Sequence, residues 1–260
     1  MRRFTKEEII TTDKYLKAFP NDYYKTDVIV NGTMFYWRDR TIYPPTRNLK
    51  MIISGHSDYP ITDSLLDLYQ PKKWFGTNKQ TSNPNVYALP LGITNDTNES
   101  NLHPIYGNLV CMENVMDETI SNQNLVYMNM SISTYPMERQ LVWDLFKDKK
   151  WVTIGLIENS IEGRTRFLRE IKSHSFVLCP RGNGMDTHRL WETLYMGSIP
   201  IVKKDVWNEE FRDLPICFIN DWSDVTIEFL EYEQNRIKNT NYNLDKLTIS
   251  YWIDQIKSAF

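Results

Sequence analysis

Residues 178–192 (LCPRGNGMDTHRLWE) combine side chains that together suit an anionic ligand. Arg181 and Arg189 can each hold phosphate oxygens through paired hydrogen bonds, which a lysine does less specifically. Gly182 and Gly184 allow the backbone to approach a ligand closely and to adopt positive φ. A helix is expected to follow, and the free N–H groups and dipole of its first turn favour an anion. The stretch therefore predicts an anion-binding turn.

The identity of the anion is indicated by Glu192, which lies one helical turn after Arg189. Bound phosphates would repel this carboxylate, whereas the two hydroxyls of a ribose would donate to it, so the combination fits a nucleoside diphosphate. An aspartate or threonine of the turn can also cap the helix. The other polar side chains that can contribute to binding are Asn183, Asp186, Thr187 and His188. Two alternatives stay open, namely a tight turn without a ligand and a surface salt bridge for Glu192.

The spacing of the glycines excludes two common phosphate motifs. The turn does not read GxxxxGK[ST], so it is not a P-loop. It does not read GxGxxG after an N-terminal first strand, and no acidic residue follows at the dinucleotide distance. A nucleotide-dependent oxidoreductase is therefore disfavoured.

The elements around this turn alternate between strands and helices, which predicts an α/β fold with parallel sheets. A capping box at Thr5-x-x-Glu8 predicts a helix to about Leu16, and residues 27–37 are β-rich around Asn31-Gly32. The polar segment 113–124 divides the chain into halves, 1–124 and 125–260, and the last helix can pack back on the first half. Further strands are expected at 49–54, 73–76, 86–91, 125–130, 151–156, 175–179, 198–202 and 214–219, and helices at 61–69, 137–147, 164–172, 189–196 and 244–260.

Bulk composition restricts the class of partner. The net charge is −3, but residues 160–204 carry eight basic and four acidic side chains, a local charge of +4 that leaves −7 for the remainder. A positive segment in an acidic protein suits a small anion rather than a nucleic acid. Three widely spaced cysteines without CxxC favour a reducing compartment. No apolar stretch is long enough for a signal peptide or a membrane span, so a cytoplasmic location is expected.

Residues 175–202 (SFVLCPRGNGMDTHRLWETLYMGSIPIV) resemble the C-terminal signature of exostosin-like glycosyltransferases, in which a strand is followed by PRG, a polar turn, RxxE and GxIP[IV]. Four shorter segments occur in the order seen in small members of this kind, including those of large viruses and bacteria. They are HSDYPI (56–61), KKWFGTN (72–78), LPLGI (89–93) and NMSISTYPMER (129–139). The chain is shorter than the membrane-anchored members and has no membrane segment.

The resemblance implies the GT-B architecture, two Rossmann-like domains with the active site in the cleft between them. It implies that the C-terminal domain, 125–260, holds a nucleotide-sugar donor, that the N-terminal domain, 1–124, faces the acceptor, and that no metal or other cofactor is obligatory. Arg181, Arg189 and Glu192 match its donor-binding positions. The chain also has no Asp-x-Asp after a strand, the usual metal motif of other glycosyltransferases.

The loop after the first strand of the second half is a further candidate for the donor site. Ser133 and Thr134 can bond phosphate there, and Arg139 can add positive charge. Helix capping before Pro136 is the alternative for this loop. Arg164 and Arg166 are also candidates, although a solvated basic face is the expected role of at least one of them.

An inverting transfer needs a general base that deprotonates the acceptor hydroxyl. In a GT-B layout the base comes from the N-terminal domain, and Asp58 and His56 follow the strand at 49–54. Asp58 can instead cap the helix near residue 61, and His56 can be an ordinary loop residue. A retaining enzyme would need no such base. Aromatic side chains such as Tyr36, Trp37 and Tyr59 can stack on an acceptor sugar, or they can belong to the core.

The sequence thus predicts a glycosyltransferase that moves one sugar from a UDP-sugar, with UDP-xylose the first donor to test, to a hydroxyl of a glycan, with inversion. The alternative from another class is a non-catalytic module that binds a sugar nucleotide or a glycan. That module would keep the turn at 180–192 but would not require an acidic residue across the cleft. The acceptor, the linkage and the oligomeric state do not follow from the sequence.

Overall fold

The computed structural model describes residues 2–19, 34–38, 49–55, 57–94 and 104–260. Helices α1 (Thr12–Ala18) and α2 (Asp63–Tyr69) belong to the first half. Strand β2 is buried along its whole length, as expected for an inner strand of a parallel sheet. Four parallel strands form this first sheet in chain order, namely β1 (Met34–Arg38), β2 (Met51–Gly55), β3 (Lys73–Gly76) and β4 (Val86–Ala88).

A second sheet contains five parallel strands in the order β6-β5-β7-β8-β9. Its strands are β5 (Asn124–Met128), β6 (Val152–Ile154), β7 (His174–Leu178), β8 (Ile199–Lys203) and β9 (Cys217–Ile219). The helices after the first sheet are α3 (Leu109–Asp117), α4 (Pro136–Phe146), α5 (Ile161–Ser173), α6 (His188–Met196), α7 (Ile227–Lys238) and α8 (Ile249–Ala259). The α/β class with parallel sheets is confirmed. Every helix in the described ranges is too short or too polar to traverse a bilayer.

One hydrophobic cluster runs through both halves of the chain. It joins Ile9, Ile53 and Leu91 of the first half to Trp191 and Leu194 of α6. The last helix contributes to the same cluster, and its end reaches the first sheet, where the Lys73 ammonium donates to the carbonyl of Ala259 at 2.9 Å. The two sheets therefore share a continuous core.

The N-terminal capping box forms a single turn and not the expected helix. The backbone N–H of Thr5 donates to the Glu8 carboxylate at 3.0 Å, but α1 begins only at Thr12. The consecutive residues Ile9 and Ile10 are both fully buried, and the Ile10 carbonyl accepts from the N–H of Ile93. Burial of these neighbours and pairing to a distant segment outweigh the local helix signal.

Other differences concern the ends of elements. The helix expected over 244–260 is a 3₁₀ turn (Leu244–Leu247) and then α8, separated by the extended residue Thr248. Part of the polar segment 113–124 belongs to α3, and α7 was not predicted although Thr226 caps it in the usual way. Residues 27–33 of the β-rich N-terminal segment lie outside the described ranges.

Candidate functional site

A cavity of about 470 Å³ lies where the carboxyl ends of strands from both sheets meet. This is the position at which open parallel sheets bind ligands. Each wall follows a strand, since residue 58 comes after β2, residue 91 after β4, residues 129–134 after β5, residues 156–158 after β6 and residues 182–189 after β7. The lining residues are Asp58, Leu91, Thr94, Tyr106, Asn129, Ser131, Thr134, Arg139, Leu156, Ile157, Glu158, Gly163, Arg164, Phe167, Gly182, Asn183, Gly184, Asp186, Thr187, His188, Arg189 and Glu192.

Most side chains predicted for the site meet in this cavity. Two predicted donor-binding residues, Arg181 and Ser133, do not line it, and His56 lies outside the described residues. The predicted residues that line the cavity are Asp58, Thr134, Arg139, Gly182, Asn183, Gly184, Asp186, Thr187, His188, Arg189 and Glu192.

Arg139 is buried and joins two loops of the cavity wall. Its Nε donates to the Arg181 carbonyl at 2.8 Å and its Nη1 to the Ser131 carbonyl at 2.9 Å. Burial lowers the pKa of Arg139 to about 10, and the positive charge of Arg189 lowers it further in the same direction. The guanidinium is therefore still cationic at neutral pH and adds positive charge to the cavity.

Arg181 does not line the cavity, and its contacts brace the turn. Its guanidinium carbon lies 4.4 Å from the centre of the Tyr135 ring, and its Nη2 donates to the Asn183 carbonyl at 3.0 Å. Ser133 is likewise engaged, because its hydroxyl lies 2.9 Å from the hydroxyl of Ser131. Direct donor contacts of Arg181 and Ser133 stay predictions.

The two glycines of the turn serve different purposes, and neither has the positive φ that was predicted. Among the described glycines, positive φ occurs at Gly92 and Gly197. At Gly184 an added Cβ would lie 2.8 Å from the Asn78 side-chain oxygen, so a side chain there would displace the Asn78 amide from its bonds to residues 57 and 186. At Gly182 the nearest atom to an added Cβ would be Arg139 Nη2 at 3.4 Å. The fold has room for a side chain at Gly182, and its absence leaves space in the cavity.

Asp186 ties the turn to the first half of the chain. Its carboxylate accepts from the backbone N–H of Leu91 at 2.7 Å and from the indole N–H of Trp191 at 2.8 Å, and its own N–H donates to Asn78 at 2.9 Å. Burial raises the pKa of Asp186 to about 7 against the opposing effect of these donors. Thr187 is the N-cap residue of α6, but its side chain makes no capping bond, so the predicted side-chain cap is wrong.

His188 makes a second connection between the halves. Its Nδ1 lies 2.8 Å from the carbonyl oxygen of Gly92, and because a carbonyl only accepts, Nδ1 carries a proton. Burial lowers the pKa of His188, while the Gly92 carbonyl and the charges of Glu192 and Asp58 act in the opposite direction. The ring is therefore a neutral donor at physiological pH, which fixes the orientation of the first residue of α6.

Replacing Asp186 by asparagine should change how stability depends on pH. The asparagine side chain would place its NH₂ group against the N–H of either Leu91 or Trp191. The hydrogen bond lost there should lower the free energy of unfolding by about 1–3 kcal/mol. In the folded wild type the pKa of Asp186 is about 7, above its ordinary value of 3.8, so the folded state binds this proton more tightly than the unfolded state. The stabilisation contributed by the protonated carboxyl is full below about pH 4 and is lost as the pH rises to about 7.

The free energy of unfolding of wild type minus that of Asp186→Asn should therefore fall between about pH 4 and pH 7, measured by urea denaturation. The exposed Asp67→Asn on α2 is a control that should show no such trend. A difference that grows with pH would contradict the raised pKa.

Arg164 and Glu192 form a buried ion pair at the wall of the cavity. Arg164 Nη1 donates to Glu192 Oε1 at 2.6 Å, and the two side chains are 1% and 7% exposed. Among the described residues, no partner exists for Nε and Nη2 of Arg164 or for Nε of Arg189, although these atoms are buried. An unsatisfied buried donor costs about 1–3 kcal/mol. A ligand in the cavity would remove this cost.

The two unsatisfied guanidinium groups flank one aromatic ring. The guanidinium carbons of Arg164 and Arg189 lie 5.5 Å and 5.7 Å from the centre of the Phe167 ring, which also lines the cavity. Phe167 was not predicted as a site residue, and Arg164 was only one of several candidates. Arg166, the other candidate on this helix, is exposed and pairs with Glu158, as a solvated basic side chain does.

Asp58 lies at the cavity from the side of the first sheet. It is exposed, and among the described residues its carboxylate has no hydrogen-bond partner. The alternative role as a helix cap is wrong, because α2 begins after the N-cap residue Thr62. Tyr59 is 67% exposed and does not belong to the core. The side chains of residues 36 and 37 lie outside what the structure describes.

Two Asn residues complete the site and were not predicted. Asn78 adopts positive φ (57°) and holds residue 57 as well as residue 186 through its side-chain amide, which links the turn after β2 to the turn after β7. Asn129 donates to the carbonyl of Leu156 at 2.9 Å and so joins the loops after β5 and β6. Each follows a strand in a segment that the sequence singled out, so position after a strand was the available signal.

A metal site does not emerge from the same residues. Within the part of the chain that the structure describes, no group of three or more His, Cys, Asp or Glu side chains could hold a metal ion. The three cysteines are free and buried. Burial raises the pKa of the Cys179 thiol to about 12, so it is not a nucleophile at neutral pH.

Comparison with known proteins assigns no family to this chain, since no family model and no curated protein matches it. The resemblance to exostosin-like glycosyltransferases therefore depends on the residues quoted above, chiefly those of 175–202.

Proposed function

We propose that the protein is a glycosyltransferase that moves a sugar from a nucleotide-sugar donor, with a UDP-sugar first, to a hydroxyl of a glycan acceptor. The observation that carries this proposal is the set of buried guanidinium nitrogens without partners at the cavity wall, in Arg164 and Arg189. Positive groups in a pocket with low water access bind phosphate strongly. A nucleoside diphosphate is the ligand class that the predicted turn also favours.

The donor diphosphate is placed against the turn after β7. Arg139 and Arg189 supply positive charge on one side, and the space beside Gly182 allows a phosphate to approach the backbone. These fixed charges would stabilise the diphosphate as it departs with its negative charge. The GT-B division into two domains is part of the proposal, and the cavity between the two sheets supports it.

The acceptor is placed on the side of Asp58. In the proposed inverting step, the acceptor hydroxyl oxygen attacks the anomeric carbon, the bond from that carbon to the diphosphate oxygen breaks, and the diphosphate leaves with the bonding electrons. The hydroxyl proton passes to the Asp58 carboxylate, which acts as general base. Asp58 suits this role because it lines the cavity from the first sheet and is free of a structural hydrogen bond among the described residues.

Ligand-induced stabilisation tests the proposal. UDP at about 100 times its Kd should stabilise the folded state by about 2.7 kcal/mol, which corresponds to a rise in melting temperature of about 5–10 °C for a chain of this size. Uridine, which has the base and the ribose but no phosphate, should give a much smaller rise. GDP and CMP define the preferred base. Absence of any shift with all three nucleotides at millimolar concentration would overturn the proposal.

Hydrolysis separates an enzyme from a non-catalytic binding module. A glycosyltransferase without acceptor slowly transfers the sugar to water and releases UDP, whereas a binding module releases none. UDP release from a panel of UDP-sugars, measured with and without glycan acceptors, therefore tests catalysis independently of binding.

A further inference from the structure

We propose that the Nε–Nη2 edge of Arg164 binds a phosphate group of the donor, and that Glu192 positions Arg164 for this contact instead of binding the ribose. The inference rests on the proposed function and assigns a different role to the acidic residue of the RxxE segment. Arg164 would contact the ligand, and Glu192 would act through Arg164.

The first support is that one nitrogen of the Arg164 guanidinium has a partner and the other two do not, among the described residues. Nη1 is engaged by Glu192 Oε1 at 2.6 Å, whereas Nε and Nη2 have no partner among the described residues. The N–H bonds of Nε and Nη2 point in the same direction and form one edge of the planar group. That edge matches two oxygens of a single phosphate. Arg164 is 2% exposed and lines the cavity, so this edge is shielded from bulk water, which otherwise satisfies a guanidinium.

The second support is the charge of the pair. A buried guanidinium requires an opposite charge close by, and Glu192 provides it from α6, 28 residues further along the chain. The carboxylate of Glu192 is in turn neutralised by Arg164. The repulsion between Glu192 and a bound diphosphate is therefore largely cancelled. That repulsion was the reason for assigning Glu192 to the ribose.

Inorganic pyrophosphate distinguishes the two roles of Glu192 because it has neither ribose nor base. If Glu192 positions Arg164, Glu192→Gln should weaken pyrophosphate and UDP by the same factor. If Glu192 binds the ribose, the same substitution should weaken UDP alone.

The experiment measures Kd for pyrophosphate and UDP by calorimetry in wild type, Arg164→Lys, Glu192→Gln and the double variant. Arg164→Lys keeps the positive charge and the ion pair with Glu192, so the protein should still fold. It removes the Nε–Nη2 edge, because lysine has no guanidinium group. We expect about tenfold weaker binding of both ligands in each single variant. The double variant should bind both ligands no more weakly than Arg164→Lys alone, because the two substitutions remove the same interaction. Arg169→Lys, an exposed residue of the same helix, is the control and should bind as wild type.

Three outcomes would overturn the proposal. They are wild-type affinity of Arg164→Lys for pyrophosphate, unchanged pyrophosphate affinity of Glu192→Gln with weakened UDP, and additive losses in the double variant. If nucleotides fail to bind wild type while pyrophosphate binds and depends on Arg164 and Glu192 as described, the proposed function fails and the oxyanion-binding role of Arg164 stands. If wild type binds neither ligand, both fail.

Discussion

Asp58→Asn is expected to lower the rate of sugar transfer by about 10²–10⁴-fold while UDP binds as in wild type. The asparagine amide has nearly the same shape as the carboxylate but cannot take up the acceptor proton. Asp58 is exposed and is not the N-cap of α2, so the substitution should leave the free energy of unfolding within about 0.5 kcal/mol of wild type. The measurement is steady-state transfer together with calorimetric binding of UDP.

The control for this prediction is Asp67→Asn, which changes an exposed acid of α2 outside the cavity. It should retain full activity. Full transfer activity in Asp58→Asn would remove Asp58 from the role of base. It would also favour a retaining reaction, which needs no such group, or a base within the segments that the structure does not describe.

Arg189→Ala is expected to weaken UDP by about 10- to 150-fold, which corresponds to the loss of about 1.5–3 kcal/mol for hydrogen bonds to a charged group. Arg189 lines the cavity from the first turn of α6, and its Nε is buried without a partner among the described residues. Removal of this guanidinium relieves an unsatisfied donor in the free protein, so the unliganded stability should fall little or even rise. This variant should therefore bind UDP more weakly without a matching loss in the free energy of unfolding.

Arg181→Ala provides the informative comparison for Arg189→Ala. The resemblance places both arginines on the donor, whereas the geometry gives Arg181 a bracing role against Tyr135 and the Asn183 carbonyl. We expect Arg181→Ala to weaken UDP several-fold less than Arg189→Ala does. Equal losses would show that Arg181 turns toward the ligand when it binds. A wild-type affinity in Arg189→Ala would contradict the donor site proposed above.

Much of the fold could be predicted because its signals are local. Short apolar runs such as 49–54 and 175–179 are buried strands, and the expected end of α6 is at Gly197, whose φ of 90° suits a glycine. The prediction was wrong where contacts between residues far apart in the sequence determine the secondary structure. Ile9 and Ile10 enter a core shared with the far half of the chain, and no local pattern reveals that.

For the candidate site, too, local signals were predictable and long-range contacts were not. Position after a strand was enough to bring Asp58 and the turn at 182–189 to one cavity. The partners of individual side chains were not predictable, since Asp186 meets the N–H of Leu91, which lies 95 residues earlier, and Glu192 meets Arg164 on another helix. Such pairs depend on how two sheets approach each other. The sequence therefore indicated which residues line the cavity better than it indicated their individual partners.

The bond from Asp186 to Leu91 has a consequence for the modularity of the chain. Here the loop proposed for the donor is held in shape by the first half, through residues 78, 91 and 92. A chimera that combined this second half with another first half would need equivalent partners for residues 186 and 188, or the loop would lose its shape together with the contact between the halves.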